Sequence, residues 1–422
     1  NNLVRFSAVM LFASQNICEA NSITALYLTV YDNQSSGREL NFRLWQYSTG
    51  REILLMPNQD IKFEKSAVLG TDTPVRFDGG EAFVQNFNLS KGWNWVSFNV
   101  ESELLNDVNK LLSSMHWNDG DVLTDMNSDL TLTYEAEQKQ WIASGNTENV
   151  AISPKKAYAI KVKDACTFPI GGTVIKEKDA RTITLKQGWN GIGYTPMINL
   201  TVETALSDYY DQAEPGDVIK SHTEFAYFTK AGNVGRWRGS LQYMKPGEGY
   251  LMLRKGAAEA SFTYPYYDMN SNFREEWSQS TRLNAPAKSR TTMNVSAIVE
   301  GFEVEDGDVL VAYSNGEALG EATVHSDSSD EISPLYLSIA GDSKEDIWFA
   351  IERDGEIVAA TGEVMTYRAN AVIGSPDEPT AINFVRAEYE NGKWYTVSGV
   401  QLQKKPAQKG VYIFNGRKVL VK

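Results

Sequence analysis

Three histidines, two cysteines and a scatter of acidic turns are the residues on which ordinary enzyme chemistry would have to rest. Histidine is the usual general base near neutral pH, because its charge changes there. His116 stands beside Trp117 ahead of a turn, His222 opens a polar strand, and His325 lies in a stretch of Ser and Asp. No two form a His-x-x-x-His pair or join a cysteine at metal-ligand spacing. Cys18 and Cys166 are far apart and fall in different repeats, so no disulfide framework is expected. The chain has no Gly-x-Ser-x-Gly, no phosphate loop ending in Lys-Ser/Thr and no Gly-x-Gly-x-x-Gly. An acid pair of the glycosidase kind is set by space rather than spacing. Small repeated modules offer it neither a barrel nor a long cleft. The expectation is therefore no catalytic residue, no metal and no cofactor.

Two further residue classes could bind. Asn118-Asp119-Gly120-Asp121 resembles the start of a calcium loop but lacks the later oxygen ligands and the closing Glu. Gly-Asp-Val occurs at 120–122, 216–218 and 307–309, which suits a turn launching a strand with glycine at positive φ. Aromatic faces could stack on sugar rings. The candidates are Trp95, Trp117, Tyr209, Tyr210, Tyr264, Tyr266 and Tyr267. Trp93, Trp189, Trp141 and Trp237 are assigned to the core instead, because they recur in register.

That register is the strongest signal in the chain. Gly92-Trp93-Asn94 matches Gly188-Trp189-Asn190, and without a gap Trp141 falls on Trp237. After a short deletion Pro154 falls on Pro246 and Tyr158 on Tyr250. These are two inner repeats, 84–175 and 180–266. An outer pair flanks them: Leu26–Val30 matches Leu335–Ile339, and Phe42 pairs with Phe349. It defines modules 1–83 and 291–386, with a polar linker at 268–290 and a last segment at 387–422. The outer modules alternate apolar and polar residues, as in Ile347–Ile351, with closely spaced turn signals, which predicts antiparallel β-sandwiches of Ig-like kind. Each inner repeat opens with a strand, and Leu104, Leu105, Val108, Leu111 and Leu112 then follow helical spacing. The fold class predicted is mainly β: tandem sandwich modules around two small β-rich (α+β) repeats, closed by a β-hairpin segment.

The 422 residues exceed one core at about 150 residues per domain. A net charge of −14 repels phosphate backbones and anionic leaflets, so no nucleic-acid partner is expected. No apolar run reaches the roughly 18 residues of a membrane span. The start at Asn1, with little room ahead of Leu3 for the opening strand of the second outer module, suggests a piece of a longer chain.

The last segment has Trp394–Leu402, then Gly410-Val411-Tyr412, then an Asn415-Gly416 turn suited to a type I′ hairpin, then Lys418 to Lys422. Gly399, Gly410, Tyr412, Lys418 and Lys422 stand where the C-terminal sorting domain of the type IX (Por) secretion system of Bacteroidota has its signature positions. Residues 388–422 resemble that domain. The resemblance implies an extracellular or outer-membrane-surface setting in a Gram-negative bacterium, with the outer-membrane secretion machinery as a partner. The expected role is a non-enzymatic structural and binding region that presents upstream domains of the same polypeptide and contacts a surface glycan or protein. Alternatives are a set of glycan-binding sandwiches and, third, a hydrolase.

Overall fold

The computed structural model describes residues 29–30, 36–39, 42–46, 51–57, 61–69, 71, 77–78, 82–113, 117–144, 150–266, 280–282, 289–325, 334–341, 344–386, 394–402, 406, 408–414 and 417–421. His116, Cys18, Tyr267, Lys422, the Leu26–Leu28 part of the outer match and the Asn415-Gly416 turn lie outside them. The chain divides into two compact units, residues 1–84 with 171–174, and residues 85–170 with 175–422. In the first, Phe42–Gln46 pairs antiparallel with Arg51–Pro57, which also pairs Phe77–Asp78, and Ser36–Glu39 pairs Lys62–Glu64. The protein is mainly β and sandwich-like.

In the second unit each inner repeat builds a five-stranded antiparallel sheet. The first uses β1 (Gly92–Val96), β2 (Val122–Asp125), β3 (Thr131–Glu135), β4 (Gln140–Ala143) and β5 (Tyr158–Val162), in the order β4-β3-β2-β5-β1. The second uses β6 (Gly188–Gly193), β7 (Val218–Lys220), β8 (Phe225–Ala231), β9 (Val234–Gly239) and β10 (Gly249–Arg254). Its order, β6-β10-β7-β8-β9, is the same. The helical stretch of repeat one is short: a 3-10 turn at Glu103–Asn106 and an α turn at Val108–Leu111. Asp107 starts the α turn by accepting from the N–H groups of Asn109 and Lys110, as an N-cap should. In repeat two, Thr201 caps Val202–Ala205 through Thr204 N.

Both recurrent sequence patterns have a local cause. Gly92 and Gly188 sit at φ 100° and 94°, and the following asparagines fold back. Asn94 accepts from Ser90 N at 2.9 Å and donates to Ser90 O at 2.8 Å, while Asn190 does the same with Lys186 at 2.9 and 2.8 Å. In the Gly-Asp-Val turns, Gly120, Gly216 and Gly307 have φ of 79°, 89° and 87°. Each Asp is buried and accepts the N–H three residues earlier, from Asn118, Glu214 or Glu305, at 2.8 to 3.0 Å. The second oxygen of Asp121 takes Lys163 N, that of Asp217 takes Lys255 N, and Asp308 instead holds the Arg353 guanidinium at 2.8 Å. With both oxygens committed to such donors, the turn is a structural clasp. Asp217→Ala leaves two backbone N–H groups and the Tyr209 hydroxyl without their acceptor. It is expected to lower unfolding free energy by about 2–3 kcal/mol, read by urea denaturation.

The last module uses β11 (Thr292–Glu300), β12 (Val309–Ser314), β13 (Glu317–Thr323), β14 (Leu335–Ala340), β15 (Asp346–Arg353), β16 (Glu356–Thr361) and β17 (Thr380–Arg386). Their order is β13-β12-β15-β16-β17-β11-β14, with β11 and β17 parallel. The sheet curls back so that its two end strands meet: a Cβ on Gly320 would lie 2.4 Å from the Ser338 carbonyl oxygen. Ile347, Phe349 and Ile351 point into the enclosed core with Val295, Leu310 and Leu337, as the alternation requires. Trp348, on the other face, stacks on Tyr313 at 4.8 Å. The final sheet has the order β19-β18-β20-β21, from β18 (Trp394–Thr396), β19 (Gln401–Leu402), β20 (Gly410–Phe414) and β21 (Arg417–Val421). Trp394 and Phe414 are both buried, with centroids 4.6 Å apart. Within the stretch read as a linker, Ser280–Arg282 pairs in parallel with Asn86, Phe87 and Asn88.

Candidate functional site

A cluster of chemistry-bearing side chains lies where the two inner repeats meet the last module. Lys220 ends β7 with no exposed surface. Its ammonium donates to Thr292 O at 2.9 Å, Thr292 Oγ1 at 3.1 Å and Asn370 Oδ1 at 3.0 Å. It also lies 5.0 Å from the Trp189 ring and 5.6 Å from the Trp95 ring. Two residues on, His222 stacks on Trp95 at 4.9 Å with 9° between planes, and its Nε2 lies 3.0 Å from Ser289 O. Trp95 Nε1 donates to Arg290 O at 2.9 Å.

Burial dominates the electrostatics here. It pulls the Lys220 pKa down to about 7, against three oxygen acceptors and two ring faces that favour the ammonium. It pulls His222 down to about 4, with the nearby Lys220 charge adding to the effect and the Ser289 carbonyl opposing it. At neutral pH His222 is the uncharged imidazole, so Nε2–H donates to Ser289. Nearby, Glu248 is buried, accepts from Tyr250 OH at 2.7 Å, and is raised above the ordinary carboxylate range by burial. The Cys166 thiol is half-buried and pushed up to about 11, far from a reactive thiolate. Among the described residues, the side chains of Lys220 and His222 bond to Thr292, Asn370 and Ser289, all outside the second repeat. The arrangement can fasten modules together.

The sugar-stacking expectation needs correction at most of its positions. Trp95, Trp117, Tyr209 and Tyr264 are buried and show no ring face to solvent. Trp117 packs edge-on against Trp141 at 5.1 Å, and Tyr209 donates to Asp217 at 2.7 Å while accepting from Arg254. Tyr210 is partly buried on the second repeat's core, its hydroxyl donating to Gly235 O at 2.7 Å. Tyr266 is 39% exposed, with the Arg181 guanidinium 5.4 Å from its ring. Among the described candidates it is the most exposed. The core assignment of Trp141 and Trp237 matches their burial, whereas Trp93 and Trp189 are only half-buried. Tyr266→Ala is expected to change stability by no more than about 0.5 kcal/mol, so glycan-array binding lost in this variant alone would favour the sugar-binding alternative.

In the final segment, Gly399 has φ 85° and closes a turn by donating to Thr396 O at 2.9 Å. Gly410 begins β20, Tyr412 is half-buried with its hydroxyl on Gln408 O at 3.1 Å, and Lys418 is exposed on β21. Gly410, Tyr412 and Lys418 thus sit on two neighbouring strands, with Gly399 at the turn before them. His325 is exposed. Among the described residues, no three His, Cys, Asp or Glu side chains gather as a metal site would need. No described helix is long and apolar enough to cross a membrane.

Sequence reading missed Lys220, Thr292 and Asn370. A signal for the first existed. Where repeat one has Thr124, repeat two has Lys220, and where repeat one has Trp95, repeat two has Gly191. A lysine replacing a buried strand residue beside an exchanged tryptophan marks a place where the copies do different work. Comparison with protein-family models, with curated proteins and with solved structures returns no match.

Proposed function

We propose that the chain is a non-enzymatic structural and binding region of a larger secreted or cell-surface protein, which spaces or presents partner domains and ends in an export-type tail. The observation that carries the reading is the Lys220–His222 junction. The Lys220 and His222 side chains are enclosed by Trp95, Trp189, Thr292, Asn370 and Ser289, and tie the two inner repeats to the last module. Further ties run the same way: Tyr227 OH donates to Gly374 O at 2.7 Å, and Arg238 pairs with Asp377 at 2.7 Å. Such joints suit a spacer that holds its modules at fixed separation. The sorting function of 387–422 rests on the resemblance of Gly399, Gly410, Tyr412, Lys418 and Lys422, and on nothing catalytic.

Two measurements test the two halves. Spin labels at the exposed positions Lys110 and Val364, in a chain carrying Cys166→Ser and Cys18→Ser, are expected to give one narrow distance distribution. A broad or multiple distribution would remove the spacer reading. A reporter fused ahead of residues 387–422 is expected to reach the surface of a bacterium with type IX export, and to stay in the periplasm when the segment is deleted. Equal surface display without the segment would remove the sorting reading.

A further inference from the structure

The two inner repeats meet through backbone contacts about an approximate two-fold relation. Ser97 N donates to Gly247 O, and at the matching positions Gly193 N donates to Lys155 O, both at 2.9 Å. Isolated bridges Val96–Glu248 and Lys156–Ile192 obey the same exchange. In the repeat register Asn99 and Thr195 are one position, so the relation brings two copies of it together. Asn99 Nδ2 donates to Pro196 O at 3.1 Å, next to Thr195 in the chain, and to Met197 Sδ at 3.0 Å. Gln85 reaches the same place, its Oε1 3.5 Å from Asn99 N.

All three side chains are deeply buried, at 4% exposure for Gln85, 0% for Asn99 and 1% for Thr195. Each has one buried polar atom without a protein partner among the described residues: Gln85 Nε2, Asn99 Oδ1 and Thr195 Oγ1. An unsatisfied buried polar atom costs about 1–3 kcal/mol, so three on residues that Asn99 links at one junction, through Gln85 Oε1 and Pro196 O, call for a partner. The donor inventory says what that partner is. Asn99 is oriented by Pro196 O, which leaves its oxygen as an acceptor. Gln85 is oriented by Asn99 N–H, which leaves its amide as a donor. The Thr195 hydroxyl serves in either sense. A cation would be repelled by the Gln85 N–H group, and an anion by the Asn99 oxygen. A molecule that both donates and accepts, small enough for a packed interior, matches all three.

We propose that Gln85, Asn99 and Thr195 bind one internal water molecule that joins the two inner repeats near their two-fold relation. It donates to Asn99 Oδ1, accepts from Gln85 Nε2 and completes its shell at Thr195 Oγ1, the usual number of bonds for a buried water.

A high-resolution crystal structure of the chain tests this directly. The expected result is a single solvent peak within hydrogen-bond distance of all three atoms, and its weakening or loss in Thr195→Val, which removes only the hydroxyl. In solution, the Thr195 methyl is expected to show a cross-peak at the water frequency characteristic of a long-lived molecule, measured on the unmodified chain so that no variant need fold. A dry contact in which the three atoms bond one another, or a metal or anion in the peak, would overturn the proposal.

Discussion

Trp95→Ala is expected to lower the unfolding free energy of the second unit by about 3–5 kcal/mol, the range for truncating a large buried aromatic. The Trp95 ring is 2% exposed, lies flat on His222, faces the Lys220 ammonium and donates its indole N–H to Arg290 O. Truncation leaves a cavity between repeat one, repeat two and the last module, and strips Lys220 of one of its two ring faces. The informative control is Trp93→Ala. Trp93 is half-buried beneath the Lys161 ammonium at 5.6 Å, and its loss is expected to cost under half as much. Sequence register alone places Trp93 in the core and Trp95 among exposed faces, so it predicts the opposite ranking. Urea denaturation of both variants decides between them, and a larger loss for Trp93→Ala would sink the account of the junction.

Why the register misled at this point follows from what repetition encodes. A residue that recurs in both copies serves the fold of each copy, and Gly-Trp-Asn and Gly-Asp-Val do so through backbone turns closed by Asn94, Asn190, Asp121 and Asp217. Those turns were legible, because a glycine at positive φ and a short polar side chain form a local unit. So were the strands of the last module, since Ile347, Phe349 and Ile351 follow the two-residue period into its core. The junction is made of what the copies do not share. Lys220 finds Thr292 and Asn370, separated from it by 72 and 150 residues, and His222 finds Ser289 at a separation of 67. Periodicity says that a side chain points inward without saying which module it meets. Hence Trp95, lacking an aromatic counterpart at Gly191, read as a free face when its partner was another module.

The same junction makes stability depend on pH in the mildly acidic range. The folded-state pKa of His222 is about 4, below the ordinary 6.5 that applies once the chain unfolds. A depressed histidine pKa means that the folded form resists protonation, so stability is intact above 6.5 and falls as pH drops toward 4. The loss over that window is about 3 kcal/mol if the whole shift is realised. Lys220 obeys the same sign at higher pH: its depressed pKa of about 7 makes stability fall as pH drops from 10.5 toward 7. Glu224 and Glu248 act in the opposite sense, because burial raises their pKa values and protonation on acidification favours the folded state. Their contribution and that of Lys220 are common to the unmodified chain and to His222→Phe, which keeps a ring against Trp95 but cannot titrate. The difference between the two unfolding free energies, followed by urea denaturation from pH 7 to pH 4, therefore isolates the histidine. It is expected to shift by about 3 kcal/mol in favour of the variant across that range. Parallel curves would mean that His222 accepts a proton in place, and that the contact with Ser289 and Trp95 is looser than the packed geometry requires.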